Sequence, residues 1–327
     1  MKILVTGSAG HLGEALVRTL RQQSTEIIGL DIKDSAFTTH VGSITDRSFV
    51  KDCMKGVSTV FHAATLHKPH VATHTMQQFI DTNITGTLHL LQEAVAAGVQ
   101  SFVFTSTTSV FGDALVPPVG EPAAWITEEV RPQPKNIYGV TKAAAEELCQ
   151  LFYRNHGLST IVLRTSRFFP EEDDNKGMRE AFADENLKAN EYLFRRVELE
   201  DAVSAHLLAA EKAPSIGWAV YIISATSPFS IADLQELRRN APAVVQRIAP
   251  AYAGVYSLRG WKMHDSIDRV YVNEKAKKEL GWMPKYDFNY VVARLDAGGI
   301  LRSPLAQLTG SKGYHTESFT EGPYPTN

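Results

Sequence analysis

Tyr138 and Lys142 stand four residues apart, a spacing that places a phenol and an ammonium on one face of a helix. A tyrosine ordinarily ionises near pH ~10, too high for a base at neutral pH. A neighbouring positive charge favours the phenolate, and a tenfold gain in its population corresponds to about 1.4 kcal/mol. Such a phenolate could take a proton from an alcohol while hydride leaves the same carbon. Thr105 to Ser109 supply five consecutive hydroxyl residues, suited to binding a substrate alcohol or carbonyl through Thr107 and Thr108. Thr107 would orient the reacting oxygen. The spacing by itself is weak, since about one chance Tyr-x-x-x-Lys match is expected in a chain this long. Tyr271 and Lys275 repeat it, but they follow no hydroxyl-rich strand end and read as a surface helix start.

The elements that must position these groups are legible in the first two-thirds of the chain. Short apolar runs predict strands at Lys2–Thr6, Glu26–Asp31, Thr59–His62, Ser101–Thr105 and Thr160–Arg164. Helical patterns lie between them at Leu12–Gln22, Asp46–Met54, Ile84–Ala97 and Tyr138–Asn155, and Gly98 suits a left-handed cap. Continuous apolar strands alternating with helices predict an α/β fold, a doubly wound parallel sheet covered on both faces. Chain just beyond a strand's C-terminal end lines the ligand crevice of such a sheet, which is where the hydroxyl run falls. Later, Val197–Lys212 reads as a helix, Trp218–Ser224 as a strand and Val272–Gly281 as a helix. The tail from Ala297, with Tyr314 and Tyr324, reads as irregular chain laid over a surface.

Gly7-Ser8-Ala9-Gly10-His11-Leu12-Gly13 follows the first strand and opens a helix. Glycines there let the backbone approach a pyrophosphate, and the helix N-terminus offers it unpaired N–H groups. Asp31 ends the second strand, 24 residues after Gly7, where a carboxylate can accept from ribose hydroxyls and repel a 2′-phosphate. These features predict NAD rather than NADP, with Lys142 also bonding the nicotinamide ribose.

The composition is 44% hydrophobic and 21% charged, with net charge −3, as in an ordinary globular protein. No basic field points to nucleic acid. No apolar run approaches the ~18 residues of a membrane span, the N-terminal apolar stretch is too short for a signal-peptide core, and there are two cysteines. The expectation is a cytoplasmic protein that binds neither nucleic acid nor membrane. His62, His67, His70 and His74 invite a metal reading. Pro69 and the loop-like segment argue against it, so no metal is assigned and His67 is placed in the substrate cleft.

The ordered motifs together resemble the extended short-chain dehydrogenase/reductases, specifically the NAD-dependent epimerase/dehydratase family that includes UDP-galactose 4-epimerase. They run from Thr6–Gly13 through Phe61-His62-Ala63-Ala64, Asp81–Thr87, the hydroxyl run and Tyr138/Lys142 to Leu280-Gly281-Trp282-Met283-Pro284. The resemblance implies Thr107, Tyr138 and Lys142 as catalytic residues. It implies small residues Ala63 and Ala64 beside the cofactor, Asn83 in support and Thr165 in the loop passing the nicotinamide. It also implies a Rossmann domain over 1–166, with 197–226 returning to it, and a smaller substrate-binding region over 167–196 and 227–327. A homodimer paired through Ile84–Ala97 and Tyr138–Asn155 is the family's common assembly.

The chain departs from the family pattern at Gly42-Ser43-Ile44, where Ser43 can offer only a hydroxyl or backbone contact near the adenine. Arg164–Glu171 with Arg179 looks similar to the corresponding region of uronate dehydrogenases. Arg167 and Arg179 suit a carboxylate, because a guanidinium bonds both oxygens; they suit a diphosphate too. The function expected is hydride transfer at a hydroxyl carbon of a sugar or nucleotide sugar. A dehydrogenase of a free sugar acid is the alternative, and a non-enzymatic NAD-sensing regulator is the reading from another class. Epimerase and net dehydrogenase stay open, because both begin with the same oxidation. Replacing Asp31 with Ala should weaken NAD binding and relax discrimination against NADP, and a parallel titration with the two cofactors measures both effects.

Overall fold

Leu4, Val60, Phe102, Phe104 and Val162 pack into one apolar core, while Ile3, Val5, Phe61, Val103, Ile161 and Leu163 pack into another. Neighbouring residues of each strand thus point to opposite sides of one sheet, and both sides are covered. That double burial is why these segments read as unbroken apolar runs. The computed structural model describes residues 2–23, 25–313, 315, 319 and 322. Tyr314 and Tyr324 lie outside the described residues.

The sheet strands are β1 (Lys2–Thr6), β2 (Glu26–Asp31), β3 (His40–Val41), β4 (Thr59–His62), β5 (Ser101–Thr107), β7 (Thr160–Thr165) and β8 (Trp218–Ile223). Their order is β3-β2-β1-β4-β5-β7-β8, with every pairing parallel. This is a Rossmann arrangement, in which the strand order reverses between β1 and β4 and opens a ligand crevice. A separate two-stranded parallel pair joins β6 (Ala124–Ile126) to β9 (Arg269–Tyr271).

Helices α1 (His11–Leu20), α8 (Leu199–Ile216), α11 (Glu274–Leu280) and α13 (Pro304–Thr309) contribute to the core on one face of the sheet. Helices α2 (Arg47–Cys53), α4 (Gly86–Ala97) and α5 (Ile137–His156) cover the other. The short α3 (Met76–Phe79) runs into α4 through a π-turn at Ile80–Thr85, and Gly98 ends α4 with φ +71°. A further core joins α7 (Asp184–Glu191), α9 (Leu234–Ile248), α10 (Tyr252–Arg259) and α12 (Phe288–Asp296) through Ala189, Leu237, Val245, Tyr256 and Val291, with Leu193 from the turn after α7. The remaining helix, α6 (Lys176–Ala181), lies between β7 and α7 in the chain. Among the described residues no helix is long and apolar enough to cross a membrane.

Three expectations are corrected. The chain after Ala297 is not wholly irregular, because Ser303 caps α13 by accepting from the Ala306 N–H, and α13 packs back on the sheet layer. Tyr271 does not start a surface helix; it ends β9 and is buried, with helix α11 beginning only at Glu274. The helix expected from Ile84 is preceded by the π-turn and α3, whose β-branched and polar residues hide its helical period.

Helix α5 is held to the sheet by polar as well as apolar contacts. Glu146 lies between Arg164 of β7 (Nη2 to Oε2, 2.7 Å) and the hydroxyl of Ser106 of β5, all three buried. Glu146→Ala leaves the Arg164 guanidinium buried without its carboxylate, a change that costs about 3–5 kcal/mol in comparable cases. Denaturant unfolding should report a loss of that size.

Candidate active site

The glycine loop leaves β1 at Gly7, whose φ of +72° favours a residue without a side chain. A Cβ there would come 2.7 Å from the Ala64 amide nitrogen, and one at Gly13 would lie 2.0 Å from the Gly7 carbonyl oxygen. The turn, the start of α1 and the loop after β4 are therefore packed backbone to backbone. Asp31 closes one end: Oδ2 accepts from the Ala9 N–H at 3.0 Å and Oδ1 from the Lys33 N–H at 2.9 Å. Each carboxylate oxygen keeps a second lone pair for a ribose hydroxyl. The surroundings fit a dinucleotide, with glycine backbone at a helix N-terminus for the pyrophosphate and an acid for the ribose.

A single cavity of about 860 Å³ runs from this cradle to the far side of the cleft. Gly7, Gly10, His11, Leu12, Gly13, Asp31, Ser43, Ile44, Ala63, Ala64 and Thr165 line the dinucleotide side. Thr107, Thr108, Tyr138, His67 and Arg167 line it as well. Lys142, Asn83 and Arg179 are not among the lining residues. Asn83 instead braces the loop after β4: its Oδ1 accepts from the Leu66 N–H (2.9 Å), and its Nδ2 donates to the Leu66 carbonyl (2.8 Å).

Thr107 ends β5 and Tyr138 sits in the first turn of α5, where Asn136 caps the helix by accepting from the Gly139 N–H. The Thr107 and Tyr138 side chains face the same cavity, close enough for the Thr107 hydroxyl to favour the phenolate. Burial raises the phenol, and the Thr107 hydroxyl only partly opposes it, leaving the pKa at about 12. One turn later the Lys142 Nζ lies 4.0 Å from the Phe104 ring centroid, and burial lowers its pKa to about 7. The expected lowering of Tyr138 by the ammonium is not seen in the protein alone, where desolvation disfavours the charged form of both groups.

The remaining predicted residues have defined partners. Arg167 donates to Asp173 at 2.6 Å and to the Glu172 carbonyl at 3.2 Å, and Arg179 donates to the Asp173 carbonyl at 2.6 Å. His62 is fully buried away from the other histidines of its segment, paired with Thr6 and Thr87. Burial keeps His67 neutral by lowering its pKa well below the usual range. Arg195, Arg269, Tyr271, Lys312, Gly313 and His315 also line the cavity and were not expected there. The alternation Arg269-Val270-Tyr271 is a period-2 signal for β9, and it is the one clue that could have brought Tyr271 into the site.

A glycine-built cradle and a buried tyrosine sharing the crevice of a parallel sheet define the class, an extended short-chain dehydrogenase/reductase. The profile of the NAD-dependent epimerase/dehydratase family matches residues 3–217, and the chain belongs to that family. NAD is accordingly the dinucleotide for which the cradle is shaped. The chain is 24% identical to a UDP-glucose 4-epimerase of Halalkalibacterium halodurans, over 88% of this chain and 91% of that protein. A uronate dehydrogenase of Pseudomonas syringae is 25% identical over 54% of this chain and 63% of its own length. An uncharacterized protein of Sinorhizobium fredii is 33% identical, but the match spans 49% of this chain and 39% of that protein. The fold is similar to that of a short-chain dehydrogenase/reductase superfamily protein from Agrobacterium tumefaciens with bound NAD. The TM-score is 0.65 and the identity 23%, over 91% of this chain and 96% of that one.

The two opposed shifts carry a pH signature. Lys142 binds fewer protons folded than unfolded between pH 7 and its ordinary value, so its contribution makes stability rise with pH through that window. Tyr138 holds its proton longer folded than unfolded, so its contribution makes stability fall above its ordinary value, up to about pH 12. Denaturant midpoints of the cofactor-free protein should rise from pH 7 to about 8.5, below the range where the buried thiols Cys53 and Cys149, both pushed up by burial, act in the opposite sense. Lys142→Met should flatten that slope.

Proposed function

We propose that the protein is an NAD-dependent oxidoreductase that oxidises a hydroxyl-bearing carbon of a sugar or nucleotide sugar, with Thr107, Tyr138 and Lys142 as its catalytic residues. The observation that carries this reading is the placement of the buried Thr107 and Tyr138 side chains together in a cavity continuous with the glycine cradle. Thr107 holds the substrate hydroxyl against the phenol, and the Tyr138 phenolate takes its proton as the C–O bond becomes a carbonyl. NAD, when bound, supplies the hydride acceptor and the positive ring that favours the phenolate. Lys142 adds its charge one helical turn away, and the dry surroundings keep water from competing for the proton. We propose with it a division that gives 1–166 and 197–226 to the cofactor and 167–196 and 227–327 to the substrate, although α11 and α13 of the last segment pack on the sheet layer.

Oxidation of a free sugar acid is a second reading, favoured by the match to a uronate dehydrogenase and by the arginines of the cleft, Arg167, Arg195 and Arg269. Screening sugars, sugar acids and nucleotide sugars with NAD distinguishes a net dehydrogenase, which accumulates NADH, from an epimerase, which does not. Tyr138→Phe keeps the ring and removes the proton carrier. Turnover should fall by about 10²–10⁴-fold with NAD affinity retained. A variant as active as the parent would end the proposal.

A further inference from the structure

Lys312, Gly313 and His315, from the C-terminal segment, line the cleft that Thr107 and Tyr138 line. The segment's first anchor is Glu171, a buried carboxylate on the loop after β7. Glu171 Oε1 accepts from His11 Nε2 (2.9 Å), the Ser311 hydroxyl (2.7 Å) and the backbone N–H of Lys312 (3.0 Å) and Gly313 (3.3 Å). Burial alone would raise this acid, but the bonds from His11 and Ser311 hold its pKa at about 2, so it is an anion at any working pH. The Lys312 ammonium also contacts the Glu14 carboxylate of α1. A second anchor lies across the cleft, where His315 Nε2 meets the Pro69 carbonyl oxygen at 3.0 Å.

Between the anchors the aromatic rings form one wall. His315 packs on His70 (5.4 Å between centroids), His70 on His67 (4.7 Å), and His67 on Phe169 (5.5 Å). A nitrogen facing a carbonyl oxygen must carry the proton, so in the neutral ring of His315 Nδ1 is an acceptor. The His70 ring accepts at Nδ1 from the His67 N–H. A wall of imidazole rings with the His315 Nδ1 as an acceptor suits a hydroxyl group. Lys312, Gly313 and His315 line the same cavity as Thr107 and Tyr138. That cavity, about 860 Å³, must hold the dinucleotide as well as the substrate.

We propose that His315 contacts the substrate, that Glu171 is the positioning residue that delivers it, and that the site so completed takes a polyhydroxylated substrate of monosaccharide size. The inference rests on the hydride-transfer reading above and narrows its substrate. A sugar carrying a nucleoside diphosphate would need the segment to lift.

The test compares the full chain with His315→Ala, Glu171→Gln, the double variant and a chain ending at Gly310. Each is assayed with NAD against free sugars, sugar acids and UDP-sugars, and NAD affinity is followed separately by fluorescence titration. His315→Ala should raise KM for the free sugar or sugar acid about tenfold, the loss expected for one hydrogen bond, with kcat little changed. NAD affinity should stay within about twofold of the parent on the same scale. Glu171→Gln should raise KM in the same sense, and the double variant should be no worse than His315→Ala, because the acid acts through the imidazole. The shortened chain should lose affinity for the small substrate and gain turnover of UDP-sugars. Unchanged KM in both His315→Ala and the shortened chain, with the parent active on free sugars, overturns this inference alone. Preference of the intact chain for UDP-sugars overturns it too. An intact chain that binds NAD and oxidises neither class overturns the hydride-transfer reading and this inference together.

Discussion

One buried carboxylate sets the register of the helix on which the chemistry depends. Glu146 lies two turns beyond Tyr138 and one beyond Lys142 on α5, and it is gripped by Arg164 from β7 and Ser106 from β5. Apolar packing by Ala145, Cys149 and Phe152 holds α5 to the sheet, but such contacts are non-directional and would tolerate rotation or sliding. A bidentate ion pair and a hydroxyl bond in a dry layer tolerate neither, since each lost partner leaves a polar group buried alone. With α5 fixed in this way, the phenol of Tyr138 has only one place to go, and that place is beside Thr107.

The same dryness governs what the phenol and ammonium can do. Desolvation moves Tyr138 and Lys142 in opposite directions on the pH scale, toward their neutral forms. A site of this kind keeps the phenol neutral and leaves the ammonium close to its titration point near neutral pH. The walls maintain the condition. Asn83 fixes the loop after β4 through both polar atoms of its amide, and Glu171 gathers the start of α1, the loop after β7 and the chain's final segment onto one oxygen.

Local chemistry was strong enough to be read where it repeats or where backbone geometry demands one residue type. Strands β1, β2 and β4 fall at the expected residues, because a strand buried on both faces must be apolar without interruption. Gly7 and Gly13 stand where a Cβ has no room, and Gly98 stands where φ is positive. The core of α7, α9, α10 and α12 was not legible as helices: α9 holds Pro242 and a break at Asn240, and α10 is short, so neither shows an unbroken helical period. The pairing of β6 with β9 joins Ile126 to Tyr271, and no local pattern encodes a partner so distant in the chain. The arginines show the same limit. Arg167 looked ready for a substrate, and its fork is turned on the Asp173 carboxylate and the Glu172 carbonyl of its own loop.

The amino-acid order alone therefore determined the sheet, the glycine turn, the acid at its second strand and the helical face shared by Tyr138 and Lys142. Each of those follows from interactions within a few residues, or from burial that a whole element feels alike. Which side chains meet across the cleft was decided only by the tertiary structure. The meeting of Thr107 with Tyr138, the arrival of Tyr271 from β9 and the bonding of Glu171 to His11 and Lys312 join segments 31 to 160 residues apart or more. Such contacts arise from the packing of finished elements, and packing is a property of surfaces in three dimensions that no one-dimensional spacing carries.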